Sequence, residues 1–177
     1  WSSEEVFSTS QLLTHFPYQC AFGDSDENSL WTMQNGNAEN QWVIGNATGY
    51  DDGSALYVSN DNGISCAYSD SLASTVWAYR DILFEDGYTH YQLSFDFKGM
   101  GQGTTDYMKV FVGAPAIPGG TSAPLGAVQI GGTFSNASDW SHYAFSLDSS
   151  YTGVQRLYFL WTNNNSAGTQ PPAAIDN

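Results

Sequence analysis

A chain of 177 residues can bury roughly 70% of its unfolded surface, so a single domain can fold without disulfide or metal staples. Four Lys and Arg stand against eighteen Asp and Glu, and a net charge of −14 repels nucleic acid and anionic membrane surfaces. No run of eighteen apolar residues occurs, which excludes a helical membrane span of ordinary length.

Little Lys and Glu, with much Gly, Ser, Thr, Asn and aromatic residue, is a poor helix composition and a good strand-and-turn one. The chain opens on Trp1 with no apolar leader, which predicts a processed or excised product. Its acidic, Asn-rich and Lys-poor chemistry fits export, either secreted or held at the cell surface. Cys20 and Cys66 read as two separate buried thiols; one disulfide in an oxidising compartment is the alternative.

Residues 1–17 form a lead-in, with a short helix predicted around 8–14 and ended by Pro17. The domain proper spans 18–177. Tyr18-Gln19-Cys20-Ala21-Phe22 alternates as a first strand, and Gly23 to Asn28 is an acidic loop. Asn35-Gly36 between Trp31-Thr32-Met33 and Trp42-Val43-Ile44 predicts a hairpin. Asp51-Asp52-Gly53-Ser54 and Asn60-Asp61-Asn62-Gly63 are turns around a strand at 55–59. Strands follow at 76–84, 91–98, 106–112, 128–130, 140–147 and 156–162. The 91–98 strand is the plainest, with Tyr91, Leu93, Phe95 and Phe97 on one face and Gln92, Ser94, Asp96 and Lys98 on the other. Residues 113–125, which hold Pro115, Pro118, Gly119, Gly120 and Pro124, form a long irregular loop. Strands at this spacing, with turns between them, predict an all-β sandwich of two antiparallel sheets.

Several signatures fall in one order: Phe22-x-Asp24 with Glu27-Asn28 and Trp31, Trp42-x-Ile44-Gly45, and Ser54-x-Leu56-Tyr57-Val58-Ser59-Asn60-Asp61-Asn62-Gly63. Ala78-Tyr79-Arg80, Leu93 to Gly101, Asp106-Tyr107-Met108-Lys109-Val110 and Leu157-x-Phe159-x-Trp161-x-Asn163 follow, and Gln170-Pro171-Pro172-Ala173-Ala174-Ile175-Asp176-Asn177 closes the series. Over about 18–177 the chain resembles the choice-of-anchor J or cleaved-adhesin domains, MAM-like modules of exported bacterial proteins. The resemblance implies a jelly-roll β-sandwich serving as a non-catalytic accessory module, some members of which hold structural calcium. Relatives often carry Phe-Glu-Asp where this chain has Phe22-Gly23-Asp24, which removes one carboxylate from a carried-over metal site. They also continue past the residue matching Asn177, so the resemblance implies a shortened last strand.

Calcium takes six to eight oxygens, several from carboxylates. Asp24 and Asp26 share one loop with Glu27, and Asp176 lies among small apolar residues where a bare carboxylate is costly. Asp24, Asp26 and Asp176 are therefore the expected metal ligands. The bases Arg80, Lys98, Lys109 and Arg156 all lie in predicted strands, and some are expected to pair with acids across the sheet. Arg80 is also a candidate clamp for a ligand carboxylate. Trp42 and Trp77 are candidate sugar-stacking residues, with Trp31, Trp140 and Tyr50; the plainer role of each Trp is sandwich core. Asn46, Asn136 and Asn164 begin glycosylation sequons, as an Asn-rich chain produces by chance.

A glycoside hydrolase needs two carboxyl groups facing one cleft. None of the five Glu has an acid two residues away on an alternating apolar strand. The three His are isolated and no Gly-x-Ser-x-Gly elbow occurs. The sequence thus predicts no enzyme. It predicts a secreted or cell-surface module that contacts protein or glycan, or acts as a spacer; the alternative is a carbohydrate-binding module, and a hydrolase is the third reading.

Overall fold

The structure is a computed structural model, and it describes residues 16–51 and 53–177. The predicted helix at 8–14 and Asp52 lie outside the described residues. A single helical turn, α1 (Ser25–Asn28), precedes ten strands. They are β1 (Thr32–Gln34), β2 (Gln41–Gly45), β3 (Ala55–Ser59), β4 (Ser74–Phe84), β5 (Tyr91–Gly99), β6 (Tyr107–Gly113), β7 (Ala127–Phe134), β8 (Ala137–Leu147), β9 (Gly153–Asn163) and β10 (Ala174–Asp176). Sheet A runs β1-β4-β9-β6-β7 and sheet B runs β2-β3-β10-β5-β8, with every pairing antiparallel. This is the sandwich of two antiparallel sheets that the alternating pattern predicts, with the jelly-roll form that the resemblance implies.

The core lies between the sheets because alternate residues of each strand are apolar. Val76, Ala78, Ile82 and Phe84 of β4 face in from sheet A, as do Leu157, Phe159 and Trp161 of β9. Tyr91, Phe95 and Phe97 of β5 and Ile175 of β10 face them from sheet B. The rings interlock by edge and offset contacts: Phe95 meets Phe159 at 5.8 Å, Phe134 meets Tyr143 at 5.1 Å, and Trp31 stacks on Phe159 at 6.0 Å.

Two local expectations are corrected. Residues 18–22 form no strand, because Phe22 takes a left-handed φ of 56° and turns the chain into α1, whose first turn Asp24 caps through the Asp26 N–H. Asn35-Gly36 does turn the chain, with Gly36 at φ 56°, but it joins no hairpin. β1 pairs with β4 in sheet A and β2 pairs with β3 in sheet B, so the turn is a corner between layers. The Asn35 side chain holds that corner by accepting from the Trp42 N–H and donating to the Trp42 carbonyl. The apolar residues on both sides fill one interior from opposite layers, which no local pattern distinguishes from a hairpin.

Arg80 sits in the inward row of β4 and is 3% exposed. Its Nε donates to Glu27 at 2.9 Å, and the Tyr18 hydroxyl donates to the same carboxylate at 2.6 Å. Burial, then the neighbouring Cys20 and Glu27, push the Tyr18 phenol far above its ordinary range. Arg80 is therefore a strut that ties α1 to sheet A, and its guanidinium is already engaged rather than open to a ligand. Glu27→Ala is expected to destabilise the fold by about 3 kcal/mol, the low end for a broken buried pair because Glu27 reaches solvent. Changing both partners to apolar residues of similar volume is expected to restore most of that loss. Urea unfolding midpoints of the two variants check both expectations.

Candidate functional site

The two outer faces differ. The outer face of sheet A is covered by residues 114–126, whereas that of sheet B is open along β8, where His142, Ala144 and Ser146 are exposed. Lys98, Asp96, Ser94 and Gln92 alternate outward from β5. Register places Asp176 of β10 directly opposite Asp96, and Asp96 directly opposite His142 of β8. Ala174 stands opposite both Tyr57 and Lys98 in the adjoining row.

Two carboxylates in neighbouring strands repel unless donors surround them. Here they do. Asp176 accepts the Tyr50 N–H at 2.8 Å and the Asn177 N–H at 2.9 Å. Asp96 accepts the Asn177 side-chain amide at 3.1 Å and lies 3.1 Å from His142 Nδ1. The cost that an apolar setting imposes on Asp176 is met by these donors, and one of them fixes the loop that carries Tyr50.

Tyr50 and Trp140 stand edge to face beside this row, with ring centres 6.1 Å apart and planes at 88°. Tyr50 is 50% exposed and Trp140 is half-buried. The Lys98 ammonium lies 5.9 Å from the Trp140 ring centre. An aromatic surface next to carboxylate, imidazole, amide and ammonium groups offers an apolar contact and both senses of hydrogen bond.

The turn at 60–65 buttresses this face. Tyr57, fully buried under the turn, donates its hydroxyl to the Gly63 carbonyl at 2.6 Å. Gly63 itself takes φ 86°, a backbone that favours glycine. Asp61 ties the turn by accepting from both Ser65 Oγ and Ser65 N–H and from Ser59 Oγ.

The residues expected to act from sequence are dispersed. Asp24 caps α1 and Asp26 sits in its first turn, while Asp176 is held in sheet B by Tyr50 and Asn177. Calcium ligation by Asp24, Asp26 and Asp176 together therefore has no common site: among the described residues no group of three or more acid, His or Cys side chains is arranged to hold a metal ion. Trp42 is core, 1% exposed, and donates its indole N–H to the Val76 carbonyl. Trp77 is also 1% exposed, but on the outer face of sheet A, and Arg80 is spent on Glu27. Both cysteines are free; burial pushes the Cys66 thiol up to about 12. The expected cross-strand ion pair is Arg156 with Asp81, opposite each other on β9 and β4. Lys98 and Lys109 instead lie over Trp140 and Tyr107. The described residues also outline a cleft of about 440 Å³ at the edge of the sandwich, walled by rings such as Trp31, Phe95 and Phe159 and by the polar Gln92, Ser94, His142 and Asn177, with no acidic side chain among them.

No protein-family model matches this chain, and no curated protein matches it. Solved structures do. A xylan-binding domain from carbohydrate-binding module family 22 is 15% identical, covers 90% of each chain and superposes with a TM-score of 0.53. The enzymatically active domain of tailspike protein 4 of bacteriophage CBA120 is 13% identical, with a TM-score of 0.50. That match covers 84% of this chain, which spans 18% of the tailspike chain's length. The CBM22-1 xylan-binding domain from Paenibacillus barcinonensis Xyn10C is 12% identical over 83% of this chain and 81% of its own, with a TM-score of 0.48. At these identities the likeness is one of fold, the β-sandwich described above.

The hydrogen bonds from Ser65 and Ser59 pull the Asp61 carboxyl down from 3.8 to about 2. A carboxylate lowered in the folded state stabilises it fully above pH 3.8, and that contribution is lost as pH falls through about 2. Asp61→Asn is expected to flatten the pH dependence of melting temperature across this window, as scanning calorimetry at stepped pH would show.

Proposed function

We propose that this domain is a non-catalytic carbohydrate-binding module of an exported or surface-held protein, and that it contacts glycan through the outer face of sheet B. The observation that carries this reading is the solvent-facing Tyr50–Trp140 pair, set beside Lys98, Asp96, Asp176 and His142. Pyranose rings present an apolar face of C–H groups to an aromatic ring and a rim of hydroxyls to polar groups. The fold likeness to a xylan-binding domain supports the choice of ligand class. A protein contact is the competing reading, and adhesion through a surface glycan satisfies both the sequence expectation and this one.

Asp176 and Asp96 are buried, 1% and 6% exposed, so they brace the strands and loop that carry the aromatic pair, and the exposed His142 and half-buried Lys98 are the polar groups that meet sugar hydroxyls. Each carboxylate accepts from protein donors, an arrangement that fixes its orientation. A retaining or inverting hydrolase needs one carboxyl kept protonated as an acid beside the scissile bond. Two buried carboxylates engaged with protein donors do not present a facing pair across an open cleft.

Calorimetric titration with xylohexaose, mannohexaose and galactotriose tests the reading. Trp140→Ala is expected to weaken the preferred sugar at least tenfold, about 1.4 kcal/mol, with the melting temperature held within a few degrees. Binding that survives Trp140→Ala and Tyr50→Ala together would move the site elsewhere.

A further inference from the structure

Residues 114–126 cannot form a strand, since Pro115, Pro118 and Pro124 deny it three backbone donors. They instead form a strap across the outer face of sheet A. Beneath the strap, register lays out rows of side chains on four adjacent strands. Trp77 of β4 lies next to Gln34 of β1 and Leu160 of β9. Tyr79 of β4, Tyr158 of β9 and Phe111 of β6 form the next row, and Asp81 and Arg156 the one after. The rings make a continuous floor: Trp77 lies 5.6 Å from Phe111 and 6.2 Å from Tyr158, and Tyr79 lies 6.0 Å from Tyr158. The Arg156 guanidinium stacks 4.2 Å from the Tyr79 ring centre and pairs with Asp81.

The strap meets this floor through its main chain. The Trp77 indole N–H donates to the Gly120 carbonyl, the Gln34 amide to Pro118, and Arg156 Nη1 to Ala116. The Tyr158 hydroxyl donates toward the Ala114 and Ala116 carbonyls and accepts the Ala116 N–H. Meanwhile Ile117 and Leu125 of the strap are 85% and 88% exposed, so its large apolar side chains do not plug the floor. An aromatic floor rimmed by an amide, an indole N–H, a guanidinium and a phenol, all spent on carbonyl oxygens, is a surface whose donors fit any ligand rich in acceptor oxygens.

We propose that the outer face of sheet A is a second glycan-binding cleft, held shut by residues 114–126, whose carbonyl oxygens fill the acceptor positions that sugar hydroxyl oxygens take when the strap lifts. The ligand class rests on the reading of the domain as a glycan binder. The cleft itself rests on the floor and on the strap's hydrogen bonds. Tyr158 is the pivot, because its hydroxyl alone makes three of the strap's contacts.

The test uses the double variant Tyr50→Ala, Trp140→Ala as background, which removes the aromatic pair of sheet B. Tyr158→Phe keeps the ring and releases the strap. A second variant replaces 115–125 by a short Gly-Ser turn. Xylohexaose is the probe, followed by calorimetry and by quenching of tryptophan fluorescence with acrylamide. We expect Tyr158→Phe and the shortened strap each to raise affinity at least fivefold over the background, and the further change Trp77→Ala to abolish the gain. Two folded variants that show no gain, while the wild-type protein still binds through sheet B, overturn the second cleft and leave the first reading standing. No binding by the wild type or by either folded variant overturns both.

Discussion

Each sheet must bury one face against the other, and this constraint sets everything else in the molecule. The alternation along β4, β5 and β9 decides which residues enter the interior, and the aromatic ladder between the layers fixes their spacing. What remains is two outer faces with different solutions. Sheet A turns out Trp77, Phe111, Tyr158 and Leu160, too much apolar surface to leave in water, and the chain covers it with residues 114–126. Sheet B turns out small, polar and charged residues along β5 and β8, and stays open. Two aromatics meet at its rim, the exposed Tyr50 and the half-buried Trp140.

Charge follows the same division. With four Lys and Arg in the whole chain, each cation has a specific station. Arg80 is inside, braced by Glu27 and Tyr18. Arg156 pairs with Asp81 on the face of sheet A, and Lys98 lies by Trp140 on sheet B. Neutral donors also hold acids: backbone N–H groups meet Asp176, the Tyr68 hydroxyl and the Asn164 N–H meet Asp106, and two serines meet Asp61. The abundance of Asn, Ser and Tyr thus supplies neutral donors that order carboxylates in an acidic chain.

Much of the fold was legible in the sequence, because period-two alternation is a local property. The strand at 91–98 was read with its faces correctly assigned, and the irregular loop near 113–125 was read from its prolines and glycines. Layer membership was not legible. Asn35-Gly36 is a turn by any local criterion, and only the destinations of β1 and β2 make it a corner. The site was harder still. Asp176 was singled out by its apolar neighbours, yet its partners Tyr50 and Asp96 are distant in sequence and meet it only through the β10 insertion between β3 and β5. Trp42, Trp77 and Trp140 are alike in sequence, but one is core, one lies under a strap and one faces solvent. Burial of a tryptophan depends on what the rest of the chain lays over it.

The most direct measurement is a two-dimensional NMR titration of the uniformly labelled domain with xylo-oligosaccharides and, separately, with manno- and galacto-oligosaccharides. The account predicts that one of these series shifts the Trp140 indole resonance and the amides of Tyr50 and of Asp96 to Lys98, with the amides of β7 left in place. Saturable shifts confined to sheet A or to the loop around Asp24, with the sheet B resonances unmoved, would contradict it.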